Sequence, residues 1–68
     1  MITSNVKKIM ESKKVSVRRM MEYTGLASET ILRARGEQII HCHLRTLELM
    51  AQYLGCKTKD LYEEEEVI

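Results

Sequence analysis

Leu47, Met50, Ala51 and Leu54 fall at positions i, i+3, i+4 and i+7, Leu44 stands one turn earlier, and Gly55 follows the last of them directly. That spacing lays an apolar stripe along one face of an α-helix, and a glycine just past the stripe readily ends such a helix. In a chain of 68 residues this helix is the centre of whatever core forms. A domain so short buries only about 60% of the surface its unfolded chain exposes, so the remaining segments have to pack on that stripe. Proline, tryptophan and phenylalanine are absent and glycines number three, which leaves little material for a turn-rich, aromatic-cored β-domain. Leu, Met, Lys, Arg and Glu are abundant, and all of them favour helix.

Upstream, Thr3 or Ser4 is placed to cap a first helix over about residues 4–13, with Val6, Ile9 and Met10 on its apolar side and Lys13 and Lys14 at its C-terminal end. Ser16 is the expected N-cap of a short second helix reaching Thr24, in which Met20, Met21 and Thr24 share one side. Gly25 then supplies a stop of positive φ, and Leu26 is the apolar residue just beyond it. A third helix starts at Ala27 or Ser28, turns Ile31 and Ala34 inward, leaves Ser28, Glu29, Thr30, Leu32 and Arg33 on other faces, and stops at Gly36. Residues 37–43 read as a loop containing an extended apolar pair, Ile39 and Ile40, and His43 opens the fourth helix. Thr58 is the expected cap of a fifth helix carrying Leu61 and Tyr62. Glu63 to Glu66 are expected to fray, because like charges at a helix C-terminus oppose its dipole. The expectation is an all-α, five-helix bundle over residues 1–62 followed by an acidic tail over 63–68, with a helix-turn-helix between about Ser16 and Arg35.

The formal net charge of +1 conceals a dipolar chain. Residues 1–45 hold nine Lys and Arg against four acids, whereas residues 46–68 hold two lysines against six acids, giving balances of +5 and −4. Phosphate attraction acts within a Debye length of about 8–10 Å, so the basic half can meet DNA while the acidic end points away.

Other function classes find less support. No run of about 18 apolar residues could span a bilayer, and MITSNVKKIM lacks the apolar stretch of a signal peptide, which points to a cytoplasmic protein. Cys42 and Cys56 are expected as thiols filling small apolar gaps. His41, Cys42 and His43 carry metal-ligating groups, but adjacent residues rarely converge on one tetrahedral ion and paired ligand spacings are missing, so no metal or cofactor is expected. Neither a nucleophile–base–orienter set nor a Gly-rich phosphate loop is discernible, and an enzyme is not expected.

The string VSVRRMMEYTGLASETILRARG, followed by LRTLELMAQYLGCKTKDLY, resembles the Xre/Cro/phage-repressor class of five-helix DNA-binding domains. Met20-Met21 stand where that class has Leu-Ala, Gly25 at its turn glycine, Thr30-Ile31 at its recognition-helix pair, Leu54-Gly55 at the end of its fourth helix, and Leu61 at the apolar residue of its fifth. The chain departs from the pattern in three places. Val17 replaces a glutamine that in the class holds a phosphate or base. Met10 and Arg35 replace both members of an arginine–glutamate pair, a joint loss that leaves no unpaired charge behind and frees Arg35 for phosphate. Gly36 comes one residue early.

The resemblance implies that Ser28, Glu29, Thr30 and Arg33 face the major groove, where Arg33 can donate to guanine, Glu29 can accept from cytosine N4, and Thr30 can touch a thymine methyl. Ser16, Val17, Arg18, Arg35 and Gln38 are the expected phosphate contacts, with Lys7, Lys8, Lys13, Lys14 and Arg19 adding a diffuse field. It further implies a transcriptional regulator, a repressor, binding double-stranded DNA at an inverted repeat as a homodimer, with dimer contacts from the loop before the fourth helix and from Leu61, Tyr62, Val67 and Ile68. The alternative is a helical protein-interaction module, such as an antitoxin or anti-repressor partner.

Overall fold

The computed structural model describes residues 1–65. In chain order these form β1 (Ile2–Ser4), α1 (Val6–Ser12), α2 (Val17–Thr24), α3 (Ser28–Ala34), α4 (Leu44–Leu54) and β2 (Tyr62–Glu64), with 3-10 helices over Glu37–His41 and Thr58–Leu61. The domain is mostly helical, with four α-helices and a two-stranded sheet among the described residues.

The stripe on α4 does what its spacing dictates. Leu47, Met50, Ala51 and Leu54 are buried, and they meet Val6 and Met10 of α1, Met20 of α2, Ile31 and Ala34 of α3, Ile39 and Leu61 in one core. Leu44, the first residue of the stripe, stays on the surface at 68% exposure. Met21 likewise points outward, so α2 is held in the core by Met20, with Val17 packed at its edge. Three of the core side chains are methionines, whose flexible thioether stems fill space that a core without aromatics leaves irregular.

Both ends of the chain differ from the expected all-α bundle. Residues 2–4 pair antiparallel with residues 62–64 in the register Ile2 to Glu64, Thr3 to Glu63 and Ser4 to Tyr62. The first helix therefore begins at Val6 with Asn5 in the capping position, and neither Thr3 nor Ser4 caps it in a helical frame. Ser4 serves a different purpose: its Oγ accepts the Val6 N–H and donates to the Ala34 carbonyl, tying β1 to the end of α3. The expected fifth helix is a single 3-10 stretch, Thr58–Leu61, opened at Lys57, whose N–H donates to the Asp60 carboxylate at 3.0 Å. Leu61 is buried as anticipated, but Tyr62 has already entered β2. Glu63 and Glu64 lie in that strand, where the backbone gains sheet hydrogen bonds and alternate side chains project away from one another. Met1 and Glu65 close the ladder through reciprocal main-chain bonds of 2.8 and 2.9 Å. Glu66, Val67 and Ile68 lie outside the described residues.

The segment expected as a loop with an extended Ile39-Ile40 pair is the 3-10 helix Glu37–His41. Successive residues of a helix cannot share a face, so Ile39 is buried and Ile40 is 60% exposed.

Three of the four α-helices close on a left-handed residue, and in one of them that residue is not glycine. α4 closes at Gly55, φ 73°, with the Cys56 N–H donating to Ala51 and the Gly55 N–H to Gln52. α1 closes with the same pair of bonds, Val15 to Met10 and Lys14 to Glu11, but the left-handed position is Lys14 at φ 57°. A Cβ in that conformation costs about 1–2 kcal/mol, of which the greater unfolded-state freedom of glycine returns about 0.4–1 kcal/mol. Lys14→Gly should accordingly raise the urea midpoint by the equivalent of about 0.5–1 kcal/mol. A midpoint that stays put or falls would contradict this reading of the α1 terminus.

Candidate nucleic-acid interface

α2 and α3 are joined by a turn that is fixed from three sides. Gly25 takes φ 75°, and its N–H donates to the Met21 carbonyl at 3.0 Å. Thr24 Oγ1 donates to the Met20 carbonyl and accepts the Leu26 N–H, while Leu26 packs against the core. Thr24 is thus a clip in the turn, a role that helical periodicity alone does not reveal. At the other end of α2, Ser16 is the N-cap, and its Oγ accepts the Arg19 N–H at 3.1 Å. Tyr23 of α2 stacks on Tyr53 of α4 with ring centroids 4.4 Å apart and planes inclined by 19°. That aromatic pair holds the outer end of α2 onto α4, and sequence reasoning missed it because the two residues lie thirty positions apart.

α3 turns Ile31 and Ala34 into the core. Glu29, Leu32 and Arg33, spaced i, i+3 and i+4, make up its outward face. Of the side chains expected to read bases, Glu29 and Arg33 are exposed and stand on this face, while Ser28 and Thr30 are half-buried at its margins. Leu32, absent from the expected set, is 55% exposed between Glu29 and Arg33. Its exposure agrees with the sequence, which leaves it on an outer face of the helix; its apolar character kept it out of the base-reading set.

The expected phosphate contacts flank this face. Ser16 and Arg18 are exposed and Val17 half-buried at the start of α2; Arg35 caps the end of α3, and Gln38 is exposed in the 3-10 helix that follows. Arg18 sits 3.5 Å from Glu22 with both side chains largely in solvent, a pairing too weak to keep the guanidinium from another anion. Arg35 is half-buried at a cleft bordered by Ile2, Ser4, Gly36 and Glu37, and its Nε is buried with no hydrogen-bond partner. A buried donor without an acceptor is destabilising, and an anion reaching this cleft would relieve it. Lys7, Lys8, Lys13, Lys14 and Arg19 are all exposed.

Cys42 and Cys56 are free and half-buried. Burial pushes both thiols above the ordinary thiol range; the nearby Arg33 cation partly opposes this at Cys42, whereas Asp60 adds to it at Cys56. Among the described residues no group of three His, Cys, Asp or Glu side chains converges where a metal could sit, and no helix is long and apolar enough to cross a membrane. A raised thiol pKa favours the folded state below the ordinary value of about 8.5, and that contribution is lost as pH climbs through the folded value. At neutral pH, iodoacetamide should therefore alkylate both cysteines more slowly in the folded protein than in urea, with the gap closing only at alkaline pH. Equal rates in the two states would contradict the assignment.

No curated protein matches the chain significantly. A family model described as the Cro/C1-type HTH DNA-binding domain matches residues 5–66, from the residue before α1 to beyond β2. The match takes in the capped α2, the Gly25 turn and the outward face of α3, which are the parts that a helix-turn-helix requires. The chain belongs to the Cro/C1-type HTH DNA-binding domain family.

Proposed function

We propose that this DNA-binding protein is a sequence-specific transcriptional repressor that reads the major groove of an inverted-repeat operator with α3 and works as a homodimer. The observation that carries the reading is the outward face of α3, with Glu29, Leu32 and Arg33 on a helix anchored by Ile31 and Ala34. Arg33 donates two hydrogen bonds to a guanine, Glu29 accepts from a cytosine, and Leu32 packs on a thymine methyl. Ser28 and Thr30 contribute from the margins of the face, Thr30 through a methyl or a phosphate contact. Ser16, the backbone around Val17, Arg18, Arg35 and Gln38 grip phosphates on either side and set register without reading sequence. Glu63, Glu64 and Glu65 turn away from the duplex, since phosphates repel them. Repression needs nothing beyond occupancy of the operator, which this surface supplies.

A selection from randomised duplex, followed by mobility shifts, tests the assignment. Arg33→Ala should lose about 1–3 kcal/mol at one base pair of each half-site and relax the preference there. Arg35→Ala should weaken all sequences evenly and lower the salt slope by about 1. An unchanged preference in Arg33→Ala removes α3 as the reader. Failure of the wild type to shift random duplex at low salt would favour a protein-interaction module instead.

A further inference from the structure

The outward face of α3 sets three unlike chemistries on neighbouring side chains. Glu29 accepts hydrogen bonds, Arg33 donates them, and Leu32, 55% exposed, does neither. Glu29 and Arg33 are spaced i, i+4, the separation at which a carboxylate and a guanidinium pair along a helix, yet among the described residues the ion pairs are Arg18–Glu22 and Arg45–Glu48. Both charged heads are therefore open to a ligand. Leu32, three residues on from Glu29, lies beside it with Cβ atoms about 5–6 Å apart, so a single base can meet both side chains. We infer that the base so met is 5-methylcytosine, and that C5 methylation of the DNA tightens binding. The inference deepens the major-groove reading proposed above and rests on it.

The bases present different edges to such a pair. A carboxylate facing a polyanion is repelled unless a donor meets it, so Glu29 disfavours guanine, whose major-groove edge holds the N7 and O6 acceptors, and thymine, whose O4 accepts. Cytosine and adenine each offer an amino group. Cytosine has only a C–H beside its N4, however, and adenine has the N7 acceptor beside its N6, so neither gives Leu32 an apolar group to cover. 5-methylcytosine carries a methyl on the ring carbon next to the one that bears the amino group, which supplies a donor to Glu29 and an apolar contact to Leu32 on one edge. N6-methyladenine does not fit, because its methyl replaces the groove-side hydrogen that Glu29 needs while the remaining hydrogen is held in the base pair.

Arg33 completes the match. It stands one helical turn beyond Glu29, about 6 Å along the axis, and is suited to donate two hydrogen bonds to guanine O6 and N7. That separation is within two base-pair rises of about 3.4 Å, so the three side chains fit a methylated cytosine next to a guanine. On unmodified DNA the methyl under Leu32 has to come from a neighbouring thymine, which brings an O4 acceptor towards the Glu29 carboxylate. Methylation of the cytosine supplies the same apolar contact without that conflict.

Parallel selections from two randomised duplex libraries, one unmodified and one with 5-methylcytosine at every cytosine, identify the half-site. Titrations of synthetic duplexes that differ in a single base then read the inference. At the position that Glu29 reads, the wild type should bind 5-methylcytosine about three- to fivefold more tightly than cytosine, the gain from covering one methyl, and thymine most weakly. Leu32→Ala should erase the difference between cytosine and 5-methylcytosine. Glu29→Ala should bind thymine and 5-methylcytosine alike, since both carry the methyl. Both side chains are exposed and alanine is the best helix former, so the two variants should keep their far-UV circular dichroism. Equal binding of cytosine and 5-methylcytosine by a wild type that still selects a sequence through Arg33 overturns the inference and leaves the DNA reading intact. A methylation gain that survives in Leu32→Ala overturns it as well. So does a loss of binding when uracil replaces a flanking thymine, combined with no response to 5-methylcytosine. A wild type that enriches no sequence from either library overturns the major-groove reading and the inference with it.

Discussion

A helix of seven residues does not hold itself together in water, because the cost of nucleating it exceeds what two turns of hydrogen bonds return. α3 exists only because Ile31 and Ala34 are buried against the rest of the domain, and its presentation to a ligand depends on that anchorage. Three further constraints fix its direction. The left-handed Gly25 and the Thr24 hydroxyl set its start, Ser4 holds the Ala34 carbonyl at its end, and α2 and the 3-10 helix Glu37–His41 pack along it. The outward set of Glu29, Leu32 and Arg33 is therefore the product of contacts made elsewhere.

The sheet is the least obvious of these contributions. Residues 2–4 and 62–64 pair into a strand ladder that closes the domain, and β1 reaches the end of α3 through Ser4. A small domain with no disulfide and no aromatic in its core gains from such closure, since it orders residues 2–4 and 62–64 at once. It also brings Ile2 and Tyr62 to the side of α4, where they line an apolar groove with Leu44 and Leu47.

The helices and their stops were legible because each rests on local chemistry: the stripe of α4, the Ser16 cap, the glycines at 25 and 55, and the inward pair of α3. The strands were not, because three-residue segments carry too little alternation to register, and their pairing joins positions more than fifty residues apart. Four glutamates in a row suggested fraying, yet at Glu63 and Glu64 main-chain pairing with Thr3 and Ile2 outweighs the repulsion between side chains that alternate in direction. The end of α1 beside Lys13 and Lys14 was legible, but the left-handed turn at Lys14 was not, because a residue other than glycine takes it. For the site, residue type and periodicity located Arg33, Glu29 and the outward Leu32, but burial was needed to set Ser28 and Thr30 at the margins.

That α3 is the surface that meets DNA is the claim on which the rest turns. Two-dimensional amide NMR during titration with duplex at moderate salt tests it residue by residue. Shifts concentrated at the start of α2, along α3 from Ser28, and at Arg35 to Gln38, with the amides of β2 unmoved, are the predicted result. Shifts confined to β2 and the 3-10 turn before it, with α3 silent, would contradict the account.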